Sequence, residues 1–259
     1  MKKSFYIITL FLIIISIGFC ISGFTTSNAK TQKKTHSDSQ GIVILELFTS
    51  QGCSSCPPAD RVLEKYVLTN NPNIIPIAFH IDYWNYIGWK DPFSRAEFTN
   101  RQRDYSRNFN SGTIYTPQLI INGKYQVVGS NENSIKTLVN QELLIKNPAR
   151  IDIYAITLVG NKLVVKCSTT DLSANKTVNV ALVKKKEFTS IKRGENTGLK
   201  QTSYNIVYDF KSKSLTNGTE NQTIFDFKSD WKASDFMIVV YLQNNSNGKI
   251  IAASKKEIN

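Results

Sequence analysis

Cys53 and Cys56 stand where an apolar run ends and a helical pattern begins, and this junction constrains the fold more than any other stretch of the chain. Ile42 to Phe48 is apolar except for Glu46, the pattern of a central strand buried on both faces. After Thr49-Ser50-Gln51-Gly52 comes the cysteine pair, then Pro57 and Pro58, whose missing N–H groups suit the first turn of a helix. Ala59, Val62, Leu63 and Tyr66 recur at i, i+3, i+4 and i+7, one face of that helix. Ile74 to Ile81 reads as the next strand, and a right-handed crossover places it parallel to the first.

From Asp82 to Ser111 an aromatic stretch (Tyr83, Trp84, Tyr86, Trp89, Phe93) leads into a helical pattern of Phe98, Gln102, Tyr105 and Phe109. Gln118 to Ile121 and Tyr125 to Val128 read as strands joined by a hairpin turn at Asn122-Gly123. Ile135, Leu138, Val139 and Leu143 supply a closing helix, which Pro148 ends. Seven strand-like segments follow, from Ile151 to Ala253, without a helical period. The expected fold class is therefore an α/β thioredoxin-like N-terminal domain, residues 41–148 with an insertion at 82–111, and an appended all-β, sandwich-like C-terminal domain, residues 149–259; a continuation of the first sheet into these strands is the alternative, disfavoured by the break at the closing helix and Pro148.

Ahead of both, Lys2 and Lys3 precede an apolar run from Phe5 to Ile21 and a small-x-small pattern at Ser27-Asn28-Ala29. This is the layout of a secretory signal over residues 1–29, followed by a polar spacer over 30–40; an uncleaved membrane anchor is the alternative. Either way the working part is expected outside the cytoplasm, periplasmic or secreted. Cys20 follows Phe19, whereas a lipid-modified cysteine normally follows a small residue. Cleavage removes two lysines and no acid, so the formal charge falls from +12 to +10. The basic residues are scattered rather than gathered on a stripe, which argues against nucleic acid as a partner and for weak adhesion to acidic membrane surfaces.

A C-x-x-C pair serves as a redox dithiol, as half of a metal site, or as two structural cysteines. Placement before a helix favours the dithiol. Free N–H groups and the helix dipole stabilise a Cys53 thiolate, which attacks a substrate disulfide, while the more shielded Cys56 resolves the mixed disulfide. Glu46, alternating with Ile42, Ile44 and Phe48, is expected beneath the cysteines as proton acceptor for Cys56. In a thioredoxin-like frame, a cis Thr116–Pro117 bond brings the Thr116 backbone beside Cys53 to pair with substrate, and Trp84 and Trp89 wall a groove there. The redox reading requires Cys53 to be open to solvent and close to Pro117. Cys167, on a predicted strand, reads as a buried inert thiol.

The run Leu45 to Asp60, with its Cys53-Ser54-Ser55-Cys56-Pro57-Pro58 centre, resembles the opening motif of the bacterial secreted family called domain of unknown function 1223. His80 to Phe93, Tyr115-Thr116-Pro117-Gln118 and Arg193-Gly194-Glu195-Asn196 resemble it as well. The resemblance implies a thioredoxin-like fold with an appended β domain, and it suggests that the loop Arg193 to Asn196 approaches the active face.

Three functions remain open at this level. The first is a thiol-disulfide oxidoreductase that needs no cofactor, acts on exported protein thiols and disulfides, and depends on an unidentified redox partner. The second is a copper chaperone binding through Cys53, Cys56 and His80. The third is a non-catalytic module in which the aromatic segment Tyr83 to Phe93 captures a partner.

Overall fold

The computed structural model describes residues 41–171, 173, 175–215 and 220–258; the expected signal, 1–29, and spacer, 30–40, lie outside the described residues. The first half contains β1 (Val43–Thr49), α1 (Cys56–Thr69), β2 (Ile74–His80), α2 (Ala96–Asn108), β3 (Gln118–Ile121), β4 (Tyr125–Val128) and α3 (Glu132–Leu143). The second contains β5 (Ile151–Val159), β6 (Lys162–Thr169), β7 (Lys176–Ser190), β8 (Lys200–Ser214), β9 (Glu220–Asp226), β10 (Phe236–Asn244) and β11 (Ile250–Glu257).

The assembly of these elements corrects the expected fold class. Instead of an α/β thioredoxin-like domain with a separate sandwich appended, the chain builds one mixed eight-stranded sheet, ordered β11-β10-β7-β8-β2-β1-β3-β4, that runs through both halves. The seam lies between β2 and β8, at the bridge Ala78↔Ile206, and Asn205 donates its side-chain N–H to the Pro76 carbonyl at 2.8 Å. The reason is an edge left over by the first half. β2 is buried along its whole length, so its outer edge needs a neighbour to satisfy its backbone groups, and β8 supplies it. Among the described residues β5, β6 and β9 form a second sheet; their Leu163, Val165 and Phe225 pack on Val178, Val180, Leu182 and Val240 of the large sheet.

The large sheet has a different core on each face of β1. Val43, Leu45 and Leu47 meet Ala59, Val62 and Leu63 of α1 and Ile135 and Val139 of α3. Ile44 and Phe48 point the other way, toward Phe98 and Tyr105 of α2 and Val239 and Tyr241 of β10. The sheet curls far enough for its ends to touch: Ile250, opening β11, donates its N–H to the Asn122 carbonyl at 2.9 Å. Gly123 sits at this closure with φ +61°, and a Cβ there would lie 2.0 Å from the Gly248 carbonyl oxygen. Gly123→Ala is therefore expected to destabilise the protein by about 2–3 kcal/mol, through left-handed strain and overpacking. Urea unfolding checks this: the midpoint should fall with an unchanged slope, and an unchanged midpoint would show that the two turns do not meet.

One feature of the β7–β8 hairpin positions the site. Its inner part belongs to the large sheet, but its outer part, paired from Lys186↔Tyr204 to Ser190↔Lys200, lies along α1. Gln201 there donates to the Asp60 carboxylate at 2.8 Å. Asn205, with φ 47°, stands where β8 passes from α1 to the edge of β2. The hairpin tip, residues 191–199, thereby arrives over the start of α1.

Candidate redox site

β1 ends at Thr49, the chain turns through Ser50 to Ser55, and α1 begins at Cys56. Pro57 and Pro58 occupy the helix's first turn, as their missing N–H groups allow. Cys56 donates its N–H to the Cys53 carbonyl at 3.1 Å, closing the turn that sets the two thiols side by side. The Cys53 sulfur lies 3.2 Å from the Ser55 hydroxyl and accepts from the Thr116 hydroxyl at 3.4 Å. Thr116–Pro117 is cis, and Trp84 donates its indole N–H to the Thr116 hydroxyl at 2.7 Å. Trp84, Thr116 and Cys53 thus form a hydrogen-bonded chain.

These donors act on a sulfur, and they favour its ionised form. The Cys53 thiol is pulled down to about 6, first by the Cys56 thiol donating to it and then by Ser55 and Thr116, which together outweigh the opposing effect of burial. Cys56 moves the other way: burial and the neighbouring Cys53 push its thiol far above the usual range. The pair is thus polarised into a ready nucleophile and a proton-holding partner. Cys53, Cys56 and Cys167 are all free thiols.

The hairpin tip closes over this pair. Asn196 donates from its side-chain amide to the carbonyls of Gln51 at 2.8 Å and Cys53 at 2.9 Å. The Glu195 carboxylate accepts from the Ser54 N–H at 3.0 Å. From the other side the aromatic segment leans in, with Trp89 donating to the Gln51 side-chain carbonyl at 3.2 Å. At Gly52 a Cβ would stand 3.3 Å from both Trp84 and Ile87, so the absence of a side chain lets that segment settle against the backbone just before Cys53.

Behind the thiols, α1, β2, the segment after β2 and the hairpin arm enclose a group of acids and a histidine. His80 and Asp91 form a buried pair with Nδ1 and Oδ2 2.7 Å apart, and Asp91 also accepts from the Gln51 N–H at 2.8 Å. Burial works against charge on His80, but the Asp91 carboxylate holds the imidazole above its ordinary value. Burial likewise works against the Asp91 carboxylate, and His80 holds it below its ordinary value. Asp60 lies one helical turn beyond Cys56 and is raised to about 6, chiefly by burial of its carboxyl. His80 Nε2, Gln51 Nε2 and Gln201 Oε1 are buried without a hydrogen-bond partner among the described residues.

A family model described as Protein of unknown function (DUF1223) matches residues 44–243. The chain belongs to the DUF1223 family. Among solved structures, protein AGR_C_4864 from Agrobacterium tumefaciens is similar at 27% identity and a TM-score of 0.63, over 85% of this chain and 96% of that one. A domain of the outer membrane lipoprotein Omp28 from Porphyromonas gingivalis aligns with 44% of this chain and 89% of its own at 12% identity, with a TM-score of 0.29. No curated protein matches the chain.

In this DUF1223 protein, Cys53, Cys56, Thr116, Pro117 and Trp84 gather in one place, with Trp89 at its wall and the Arg193 to Asn196 loop across it. Two expectations need correction. Glu46 is not beneath the cysteines: it points to the face of β1 opposite α1, where Arg101, Tyr105 and Tyr241 hold its carboxylate. Alternation places a side chain on a face but does not say which helix covers that face, and here α2 covers it. Cys53 is not open to solvent either; it is 0% exposed beneath the hairpin tip and the aromatic segment.

The aromatic segment is divided between packing and exposure, for Trp84 is partly buried while Tyr86, stacked on it, is 82% exposed. His80 spends Nδ1 on Asp91, and among the described residues no group of three or more His, Cys, Asp or Glu is placed to hold a metal. Sequence reasoning missed Asp60, Asp91 and Gln201. The i, i+4 spacing of Cys56 and Asp60 was the available signal for the first; nothing local announces the other two.

Proposed function

We propose that the protein is a thiol-disulfide oxidoreductase working outside the cytoplasm on exported thiols and disulfides, with its dithiol kept under a hairpin cap. The observation that carries this reading is the setting of the pair at the start of α1 beside the cis Thr116–Pro117 bond, with the Cys53 sulfur 3.2 Å from the Ser55 hydroxyl and accepting from the Thr116 hydroxyl at 3.4 Å; these donors agree with a Cys53 thiol lowered to about 6 beside a Cys56 thiol that is raised. The Cys53 thiolate attacks a substrate disulfide, forming a mixed disulfide and expelling one substrate thiolate. Cys56 then attacks the Cys53 sulfur, releasing the second substrate thiolate and leaving a Cys53–Cys56 disulfide, so two electrons pass to the substrate. The same path in reverse oxidises a substrate dithiol.

Burial of Cys53 adds a condition: the tip bearing Glu195 and Asn196 moves aside before a disulfide reaches the sulfur. Ser54 and Ser55 beside it already lie at the surface. Titration against graded mixtures of oxidised and reduced glutathione, followed by intact-mass measurement, tests the reading. A reversible loss of two hydrogens confined to Cys53 and Cys56, absent in Cys53→Ser, is expected. A pair that stays reduced across the whole series, even with Asn196→Ala loosening the tip, would refute it.

A further inference from the structure

The polarised pair leaves the Cys56 proton without a stated destination, and the structure offers one. Asp60 follows Cys56 by four residues on α1, so both side chains rise from the same face of the helix. That face turns into the buried group described above. Cys56 is 0% exposed, and the Asp60 carboxyl is held by Gln201 of the hairpin arm. The groups facing Asp60 are Cys56 from its own helix, Thr49 from the end of β1, His80 from β2, Asp91 from the segment after β2 and Gln201 from β8. Glu46, the other acid near the start of the site, is committed to Arg101 on the opposite face of the sheet.

We propose that Asp60 is the proton acceptor that activates Cys56 for the resolving step, with the His80–Asp91 pair behind it and Gln201 setting the position of its carboxylate. The proposal rests on the thiol-disulfide reading above and names a residue that reading does not use. In the step, the Asp60 carboxylate takes the proton from the Cys56 thiol. The resulting thiolate forms a bond to the Cys53 sulfur of the mixed disulfide, the bond from Cys53 to the substrate sulfur breaks, and the substrate leaves as a thiolate carrying the electron pair. Asp60 then returns its proton to solvent or to the departing thiolate.

The arrangement has a cost to stability that agrees with a working role. A carboxyl raised from 3.8 to about 6 is stabilised by folding in its neutral form. Its contribution to stability is therefore fully present below pH 3.8 and declines as the pH rises through about 6. At neutral pH the protein keeps an ionised acid where an amide would be better tolerated.

The test uses the reduced full chain and the chromogenic disulfide 5,5′-dithiobis(2-nitrobenzoate). One equivalent of nitrothiobenzoate is released when Cys53 attacks, and a second when Cys56 closes the ring. In the unmodified protein the second phase should quicken as the pH rises through about 6. Asp60→Asn should slow it at least tenfold at pH 7, by roughly the loss of a general base, and should flatten its rise through that region. Asp60→Asn should also melt higher than the unmodified protein at pH 7.

Gln201→Met provides a second measurement that leaves the carboxyl in place. The lost hydrogen bond favoured the ionised acid, so the midpoint of the second phase should move to higher pH. Cys56→Ser should stop after the first phase. Two results separate the two claims. If the unmodified protein closes its disulfide and Asp60→Asn does so at the same rate with the same pH profile, Asp60 is not the acceptor and the redox reading stands. If the unmodified protein releases no second equivalent at any pH, the redox reading fails and this inference falls with it.

Discussion

Arg101→Met is expected to cost about 3–5 kcal/mol of stability, the range for removing one partner of a buried ion pair. Glu46 is 0% exposed in the middle of β1, and Arg101 reaches it from α2 with Nη2 2.7 Å and Nε 2.8 Å from Oε1. Tyr241 donates to the same oxygen at 2.8 Å, and Tyr105 donates to the other. The guanidinium is itself stacked among rings, 4.8 Å from the centroid of Phe210, 5.0 Å from Tyr105 and 5.4 Å from Tyr241. Methionine fills much of the same volume but leaves the carboxylate with two hydroxyl donors and no counter-charge. The double variant Glu46→Leu, Arg101→Met should recover most of the loss, because neither charge is then buried. Urea unfolding of the unmodified protein, Arg101→Met, Glu46→Leu and the double variant measures the coupling. A single-variant loss below about 1 kcal/mol would mean that the pair is not closed in solution.

Asn196→Ala should raise the labelling rate of Cys53 roughly 5- to 150-fold at neutral pH. The side-chain amide of Asn196 makes two hydrogen bonds that fasten the hairpin tip, to the carbonyls of Gln51 and Cys53. At about 0.5–1.5 kcal/mol each, their removal favours the open tip by about 1–3 kcal/mol, and every 1.4 kcal/mol is a tenfold change in the open population. Cys53 ionises near 6, so at pH 7 its reactivity is limited by access and not by the thiol proton. Timed alkylation followed by peptide mass analysis reads the rate at each cysteine. Cys167 is an internal control, since it lies in the core between the two sheets with its thiol pushed up to about 11 by burial, and its labelling should not change. Equal labelling of Cys53 in both proteins would show that the aromatic segment, and not the hairpin tip, provides the cover.

Both experiments probe contacts between residues far apart in the chain, and this is where sequence reading and structure part. Local elements were legible because their causes are local. The apolar run at β1, the prolines opening α1, the Asn122-Gly123 turn with its positive φ angles and the seven later strands all follow from patterns a few residues long. The assembly was not legible. A run such as Tyr204 to Phe210 announces a strand, but nothing in it says that one edge joins β7 and the other β2, and that single bridge replaces two expected domains with one shared sheet.

The site divides in the same way. By itself the sequence determined that two thiols stand at the mouth of a helix next to a Thr-Pro strand, because turn, helix start and spacing are properties of a short segment. Only the tertiary structure decided which acid lies beside those thiols and whether the solvent reaches them. Glu46 and Asp60 are both acids close to the cysteine pair in sequence, yet one faces α2 and the other the hairpin arm; the difference depends on what packs against each face of the sheet. The part of the cover that Asn196 fastens over Cys53 comes from more than a hundred positions away, carried there by the β7–β8 hairpin. Burial and the pKa shifts that follow from it are set by distant chain, so no local pattern can carry them.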